Sequence, residues 1–277
     1  LARPTYSKGS ANISVTQLLN SPKIVALSKK FDDELEQDVS DMVWSLLGSA
    51  MHNFLEHGKD ANHVVEQRIH AELDGWHISG AVDLQITNEG GISIKDYKTT
   101  SVWAVMNDKP EWEQQQNIYK YLIERAKKKP VKGLRICALI RDWSRRDAQN
   151  KPSYPQAPIQ VIDIPMWDTE RAEAYIRSRI EAHRDSKVKA DWDEELPLCT
   201  EEDRWMRDTK YALKKEGRKT AIRVFDTEEE AKAVLKDMPE KEKGFIEIRK
   251  GESVRCTGNF CGVAQFCSQY QQSLKEA

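Results

Sequence analysis

Residues 80–99 read Gly80-Ala81-Val82-Asp83-Leu84-Gln85-Ile86-Thr87-Asn88-Glu89-Gly90-Gly91-Ile92-Ser93-Ile94-Lys95-Asp96-Tyr97-Lys98-Thr99. Two segments rich in β-branched residues flank Asn88-Glu89-Gly90-Gly91, whose composition is that of a turn, so the stretch predicts a hairpin with strands over 76–86 and 92–97. Side chains alternate along a strand, which puts Asp96 and Lys98 on one face. With the turn centred on Glu89-Gly90, Asp83 lies directly opposite Asp96. Opposed cross-strand side chains have Cβ atoms roughly 5 Å apart, and like charges there are destabilising. Two carboxylates so placed call for a cation. Lys98 supplies one positive charge, and a divalent ion held by hard oxygen ligands, Mg²⁺ or Mn²⁺, compensates more fully. On these residues alone, two solvated aspartates on a surface hairpin is the competing reading.

Working outward, Ser14-Val15-Thr16-Gln17 has the form of a capping box, and Pro22 opens a second short helix. Residues 33–57 predict a long helix, with Val39, Val43, Leu46, Leu47, Phe54 and Leu55 near helical spacing and Gly58 as its stop. Val64 to Ile69 reads as extended. After the hairpin, Pro110 opens a helix to Ala126, strands follow over 134–140 and 159–164, and a helix covers 169–188. Strands and helices in this alternation predict the α/β class, with a mixed central sheet flanked by helices. Past Pro197 the chain turns charged, with short elements and four of the five cysteines. The expected organisation is a core with N-terminal helices over 1–190 and a small cysteine-containing C-terminal appendage over 191–277.

The hydrophobic fraction of 39% and charged fraction of 32% suit a globular chain with one substantial core. No run of about 18 apolar residues is present, so no membrane span is expected. Leu1 to Ser10 lacks the apolar stretch of an export signal, and a cytoplasmic location in a bacterial cell is the expectation. A net charge of −2 argues against a globally basic nucleic-acid binder. Local stripes remain: Lys127-Lys128-Lys129, then Arg141, Arg145 and Arg146, and the densest between Arg207 and Arg223, where Lys210, Lys214, Lys215, Arg218 and Lys219 face Asp208 and Glu216. A solvated face is the ordinary reading of any one stripe.

Four motifs together carry a resemblance. Gly48-Ser-Ala-Met-His52, Gly80-Ala-Val-Asp83, Asp96-Tyr97-Lys98-Thr99 and Gln115-Gln-Asn-Ile-Tyr119 stand in the order, and in the predicted elements, of the RecB-like branch of the PD-(D/E)XK nucleases, which this chain resembles over roughly residues 45–125. Phage and CRISPR-associated exonucleases belong to that branch. The resemblance implies a restriction-endonuclease-like core and gives each residue a role. His52, Asp83, Asp96 and the backbone carbonyl of Tyr97 would hold the catalytic ion. Lys98 would orient or help deprotonate the attacking water. Glu56, one turn after His52, would act through a bound water, with a solvated glutamate as the alternative. Gln115 and Tyr119 would face Lys98 or the nucleic-acid backbone, with packing as the other role for Tyr119. Attack in line with the leaving 3′ oxygen would give a 5′-phosphate. His63, His70 and His77 lack a motif partner and read as ordinary histidines.

An odd count of five cysteines, in a chain with no export signal, points away from a disulfide framework. Cys256, Cys261 and Cys267 cluster near the C-terminus, and Cys199 is the best fourth ligand, whereas Cys137 sits in an apolar run. Several RecB-like nucleases carry a 4Fe-4S cluster on one distant and three close C-terminal cysteines, and this tail is similar. It departs from them in that residues 1–136 contain no cysteine, so closure by Cys199 would clip 199–267 onto itself. Four-thiolate zinc is the competing structural metal, and spacing does not separate the two. The resulting expectation is a Mg²⁺- or Mn²⁺-dependent DNA exonuclease of phage or bacterial recombination type. Its substrate would be single strands or duplex ends, with a single-strand annealing or recombination protein as a further partner. The alternatives are a structure-specific or restriction-type endonuclease and a non-catalytic DNA-binding module.

Overall fold

The computed structural model describes residues 9–36, 42–55, 57–58, 60–107, 109–239 and 243–275. The chain divides into two compact units: Leu1–Ala26 with Glu36–Leu196, and Leu27–Leu35 with Pro197–Ala277.

The first unit runs β1 (Ile13–Ser14), α1 (Val15–Leu19), α2 (Pro22–Lys30, whose last turns fall in the second unit), α3 (Val43–Leu55), β2 (His63–Leu73), β3 (Trp76–Asn88), β4 (Gly91–Thr100), α4 (Val102–Met106), α5 (Pro110–Lys127), β5 (Val131–Ile140), α6 (Arg145–Asn150), β6 (Ile159–Asp163) and α7 (Thr169–Asp191). Among the described residues one sheet holds six strands in the order β1-β3-β4-β5-β6, with β2 also paired to β3. β3 and β4 are antiparallel, β4 and β5 parallel, and β5 and β6 antiparallel, so the expected mixed α/β core is present.

Local chemistry sets the elements. Ser14 Oγ accepts from the Gln17 N–H while Gln17 Oε1 accepts from the Ser14 N–H, a complete capping box that starts α1. Pro110 opens α5 without wasting an amide, and Lys128 closes it at φ 55°. α5 is the crossover between the parallel β4 and β5, and seven of its residues, Gln116 to Tyr119 and Tyr121 to Ile123, are buried. Ile118, Leu122 and Ile123 pack with Ile78, Val82, Ile92, Ile94 and Leu134 of the sheet and Ile176 and Ile180 of α7. Each such side chain contributes about 1.5–3 kcal/mol by leaving water.

Both hairpins are set by their turns. Asp74 and Gly75 adopt φ of 52° and 73°, the left-handed pair a two-residue turn requires, and join β2 to β3. Across the second turn Asn88 pairs with Gly91 and Leu84 with Lys95, the register expected from the sequence. The long helix expected over 33–57 is instead a 3₁₀ turn at Asp32–Glu34, an extended Leu35, and α3; residues 37–41 lie outside the described set.

The second unit holds β7 (Met206–Arg207), β8 (Lys210–Lys215), β9 (Arg223–Phe225), α8 (Glu228–Lys236), β10 (Gly244–Arg249), β11 (Glu252–Ser253), α9 (Val254–Thr257) and α10 (Ser268–Lys275). β10-β8-β9 form a small antiparallel sheet, and α8 packs its Ala231 with Leu213 and Phe225 of that sheet. Phe31 enters this unit by stacking on Phe266 with ring centroids 4.2 Å apart and planes 5° apart. Its basic stretch is partly neutralised from elsewhere in the unit: Lys210 Nζ lies 2.6 Å from Asp226 and Lys214 Nζ 2.8 Å from Glu247. No helix among the described residues is long and apolar enough to cross a membrane.

Candidate metal centre

Asp83 stands where the sheet opens. The β3–β4 ladder runs from Asn88/Gly91 to Leu84/Lys95 and has no pairing at Asp83 and Asp96, one step further on. On the other side the β2–β3 ladder pairs Val65 with Leu84 and Gln67 with Val82, leaving Glu66 and Asp83 unpaired between them. Glu66 has φ 47°, a left-handed backbone that is strained for a residue with a Cβ. Three neighbouring strands therefore place acidic residues at one level of the sheet, where their ladders part.

α3 packs along β4 and adds His52. Its Nδ1 lies 3.4 Å from Glu66 Oε1 and 3.6 Å from Asp83 Oδ2, and its Nε2 lies 3.0 Å from the carbonyl oxygen of Tyr97. The Tyr97 N–H donates to Asp83 Oδ2 at 2.8 Å. Among the described residues, His52, Glu66 and Asp83 form the one group of three whose ligand atoms all lie within 4.8 Å of one another. Asp96, next along the row after the buried Ile92 and Ile94, turns to Lys98, with Oδ2 2.7 Å from Nζ. Lys98 donates to Gln115 Oε1 at 2.9 Å, and Gln115 Nε2 donates to the Tyr119 hydroxyl at 3.0 Å.

The electrostatics follow from burial. Asp83 is only 7% exposed. Loss of water, followed by the charge of Asp96, raises its pKa to about 7 against the opposing pull of His52, the Tyr97 amide and Lys98. His52 is raised to about 8, first by its hydrogen bond to Glu66 and then by Asp83, against its own burial. Asp96 Oδ2 is buried and has the Lys98 ammonium as its partner, 2.7 Å away. The imidazole and two carboxylates of His52, Glu66 and Asp83, with the Tyr97 carbonyl beside the ring, suit a hard divalent cation with mixed oxygen and nitrogen ligands.

The structure thus brings together His52, Asp83 and the Tyr97 carbonyl, and links Asp96 to Lys98, Gln115 and Tyr119. Glu56 lies outside the described residues. Tyr119 is 4% exposed and its ring covers Gly80; a Cβ there would meet Tyr119 Cε1 at 2.6 Å. Its hydroxyl accepts from Gln115 Nε2 while its ring packs over Gly80. Glu66 is the residue the sequence reading passed over. A signal existed: counting back from the Asp74-Gly75 turn puts Glu66 across from Asp83, as counting from the second turn puts Asp96 there.

The profile of the family described as the PD-(D/E)XK nuclease superfamily matches residues 16–268. The chain belongs to the PD-(D/E)XK nuclease superfamily. Members of that superfamily use divalent metals, in keeping with the donor set around Asp83. Among solved structures, that of SSO0001 is similar at 17% identity over 64% of this chain and 78% of that one, with a TM-score of 0.46. A protein of Eubacterium rectale named "Putative exonuclease" is similar at 12% identity over 64% of this chain and 57% of that one, with a TM-score of 0.33. A search of curated proteins finds no match.

The cysteines divide between the units. Cys137 sits on β5 in the first unit, opposite Tyr97 of β4, its thiol pKa pushed up by burial. Cys199, Cys256, Cys261 and Cys267 all lie in the second, and none of them forms a disulfide. Cys199, Cys261 and Cys267 are buried. Burial first, then the charges of Cys261 and Cys267, pushes the Cys256 thiol up. Gln269 clamps the Cys199 backbone, accepting from its N–H at 2.8 Å and donating to its carbonyl at 3.1 Å, two residues after Cys267. Four thiols with no disulfide in one small unit are a donor set fit for a thiolate-bound metal.

Proposed function

We propose that this member of the superfamily is a DNA exonuclease that uses Mg²⁺ or Mn²⁺ and leaves 5′-phosphate ends. The convergence of His52, Glu66 and Asp83 at one level of the sheet, beside the Asp96–Lys98 pair, carries that reading. His52, Glu66, Asp83, Asp96 and the Tyr97 carbonyl would hold the ion. When bound, such an ion offsets charge at phosphorus and makes water easier to deprotonate. Lys98 presents an ammonium beside Asp96, where it orients the attacking water and offsets phosphate charge. Gln115 fixes the Lys98 head group, and Tyr119 fixes Gln115. The choice of exonuclease, and of a phage or bacterial recombination setting, rests on the resemblance of the four motifs to the RecB-like branch.

The cysteines of the second unit would hold a structural 4Fe-4S cluster, with zinc as the competitor. A single zinc ion, with Zn–S bonds of about 2.3 Å, draws its sulfurs closer together than an iron–sulfur cube does. The choice of the cluster over zinc rests on the resemblance of the tail to RecB-like nucleases with one distant and three close C-terminal cysteines.

End-labelled linear DNA and closed circular DNA, each incubated with Mn²⁺ or with EDTA, test the activity. Loss of linear DNA alone, dependent on Mn²⁺, is the expected result. Cutting of circles makes the protein an endonuclease, and cutting of neither leaves a binding module. Asp96→Ala should lower cleavage at least 10³-fold, on the order of what loss of a principal electrostatic group costs, while the circular dichroism spectrum stays unchanged.

A further inference from the structure

Two exposed tryptophans lie on segments adjoining the metal centre, and each has a cation over one face. Trp44 is 57% exposed on α3, with the Arg141 guanidinium 4.4 Å from its ring centroid. Trp103 is 62% exposed on α4, with Lys109 Nζ 4.9 Å from its centroid; Lys109 also lies 3.7 Å from Glu111. The first of these cations stands at the end of β4, and the second lies just before α5. Arg141 directly follows β5, and its N–H donates to the Thr100 carbonyl at 2.9 Å. The next residue, Asp142, accepts from the Val102 N–H at 2.7 Å and so joins this loop to the start of α4. Lys98 is two residues before Thr100 on the same strand.

Helical geometry connects Trp44 to the ion site. Trp44, Gly48 and His52 are four residues apart along α3 and share one face, with Trp44 about 12 Å along the axis from His52. Gly48 stands between them with nothing within 4 Å of where a Cβ would sit. At Gly48 this face carries no side chain, which leaves room there for an extended chain. Arg145 and Arg146, both exposed, continue the positive charge at the start of α6.

Aromatic faces paired with cations are what a nucleic-acid strand with unstacked bases binds: bases stack on the rings and phosphates meet the cations. A duplex hides its base faces and uses only the cations. An apolar protein partner would use the rings and leave the cations desolvated beside them. We propose that Trp44 with Arg141 and Trp103 with Lys109 form a stacking platform for an unpaired DNA strand entering the metal centre. The proposal names the substrate class of the activity proposed above and rests on that reading.

The test measures binding of a fluorescein-labelled 20-nucleotide oligo(dT) and of a blunt 20-base-pair duplex, with Ca²⁺ in place of Mg²⁺. Trp44→Ala and Trp103→Ala should each weaken oligo(dT) binding at least fivefold, with a loss on the duplex at least threefold smaller. Trp44→Phe and Trp103→Phe, which keep an aromatic face and the fold, should stay within threefold of the parent. Equal losses on both DNAs, or parental affinity for oligo(dT) in both alanine variants, overturn the platform. So does a shift to a smaller oligomer on size exclusion with oligo(dT) affinity unchanged, which would assign the tryptophans to a second copy of the chain. Cleavage of linear DNA by the parent with Mn²⁺ reads the nuclease proposal separately. A parent that binds oligo(dT) through its tryptophans yet cuts nothing keeps the platform and loses the nuclease.

Discussion

Asp83 and His52 both carry pKa values raised by their surroundings, to about 7 and about 8. In the metal-free protein each contributes stability while protonated. For Asp83 that contribution is full below its ordinary value near 4 and is lost as pH rises through about 7. For His52 it is full below about 6.5 and is lost as pH rises through about 8. The apo protein should therefore lose thermal stability between pH 6 and pH 8. A divalent ion competes with those protons, so it binds better where they have left. The gain in Tm on adding Mg²⁺ should be larger at pH 8 than at pH 6, read from paired melts with EDTA. A gain that is equal or larger at pH 6 would remove these two groups from the ion site. His52, Asp83 and Asp96 were legible as candidates because their motifs are short and stand in order. Glu66 was passed over: the turn count places it across from Asp83, but no residue type announces the left-handed backbone it adopts there.

At the scale of elements, the centre depends on how α5 sits against β3. The Tyr119 ring fills the space that a side chain at residue 80 would need, with Val15 Cγ2 also 2.9 Å from that position. Gly80→Ala should cost about 1–3 kcal/mol by overpacking, seen as a drop in Tm. It should also lower cleavage, because displacing Tyr119 moves Gln115 and with it Lys98. Tyr119→Phe keeps the ring and removes only the hydroxyl that Gln115 reaches, so its loss of activity should be the smaller. A Gly80→Ala variant that is stable and fully active would show that α5 does not position Lys98. The β3–β4 hairpin was readable from the sequence in both strand type and register, because a two-residue turn sets the pairing of everything after it, whereas β2 was expected only as an extended segment. The joining of residues 27–35 to the C-terminal unit was not, since Phe31 and Phe266 are far apart in sequence.

For the whole molecule, the second unit has a thin core of Leu213, Phe225 and Ala231, so its stability leans on whatever the cysteines hold. Protein purified without oxygen should be brown, with the broad visible absorbance of an iron–sulfur centre and about four irons per chain. A colourless protein with stoichiometric zinc refutes the cluster and leaves the nuclease proposal standing. Phe31→Ala removes an aromatic stack worth about 0.5–1.5 kcal/mol beyond its area. It should speed proteolysis between residues 197 and 275 several-fold. Unchanged proteolysis would mean that Phe31 adds nothing to that unit. The basic stretch of β8 read as a strong positive stripe in the sequence, yet Lys210 and Lys214 meet Asp226 and Glu247.

The sequence by itself determined the alternation of strands and helices, the register of the β3–β4 hairpin and the thiol set near the C-terminus. Each follows from spacing within a few tens of residues, where turn geometry and side-chain period act. Only the tertiary structure decided which carboxylates share one site, which lysines lose their charge to a partner, and which N-terminal ring closes the cysteine unit. Those outcomes depend on packing between segments distant in the chain, where burial raises the cost of an unpaired charge and brings together groups that spacing does not relate.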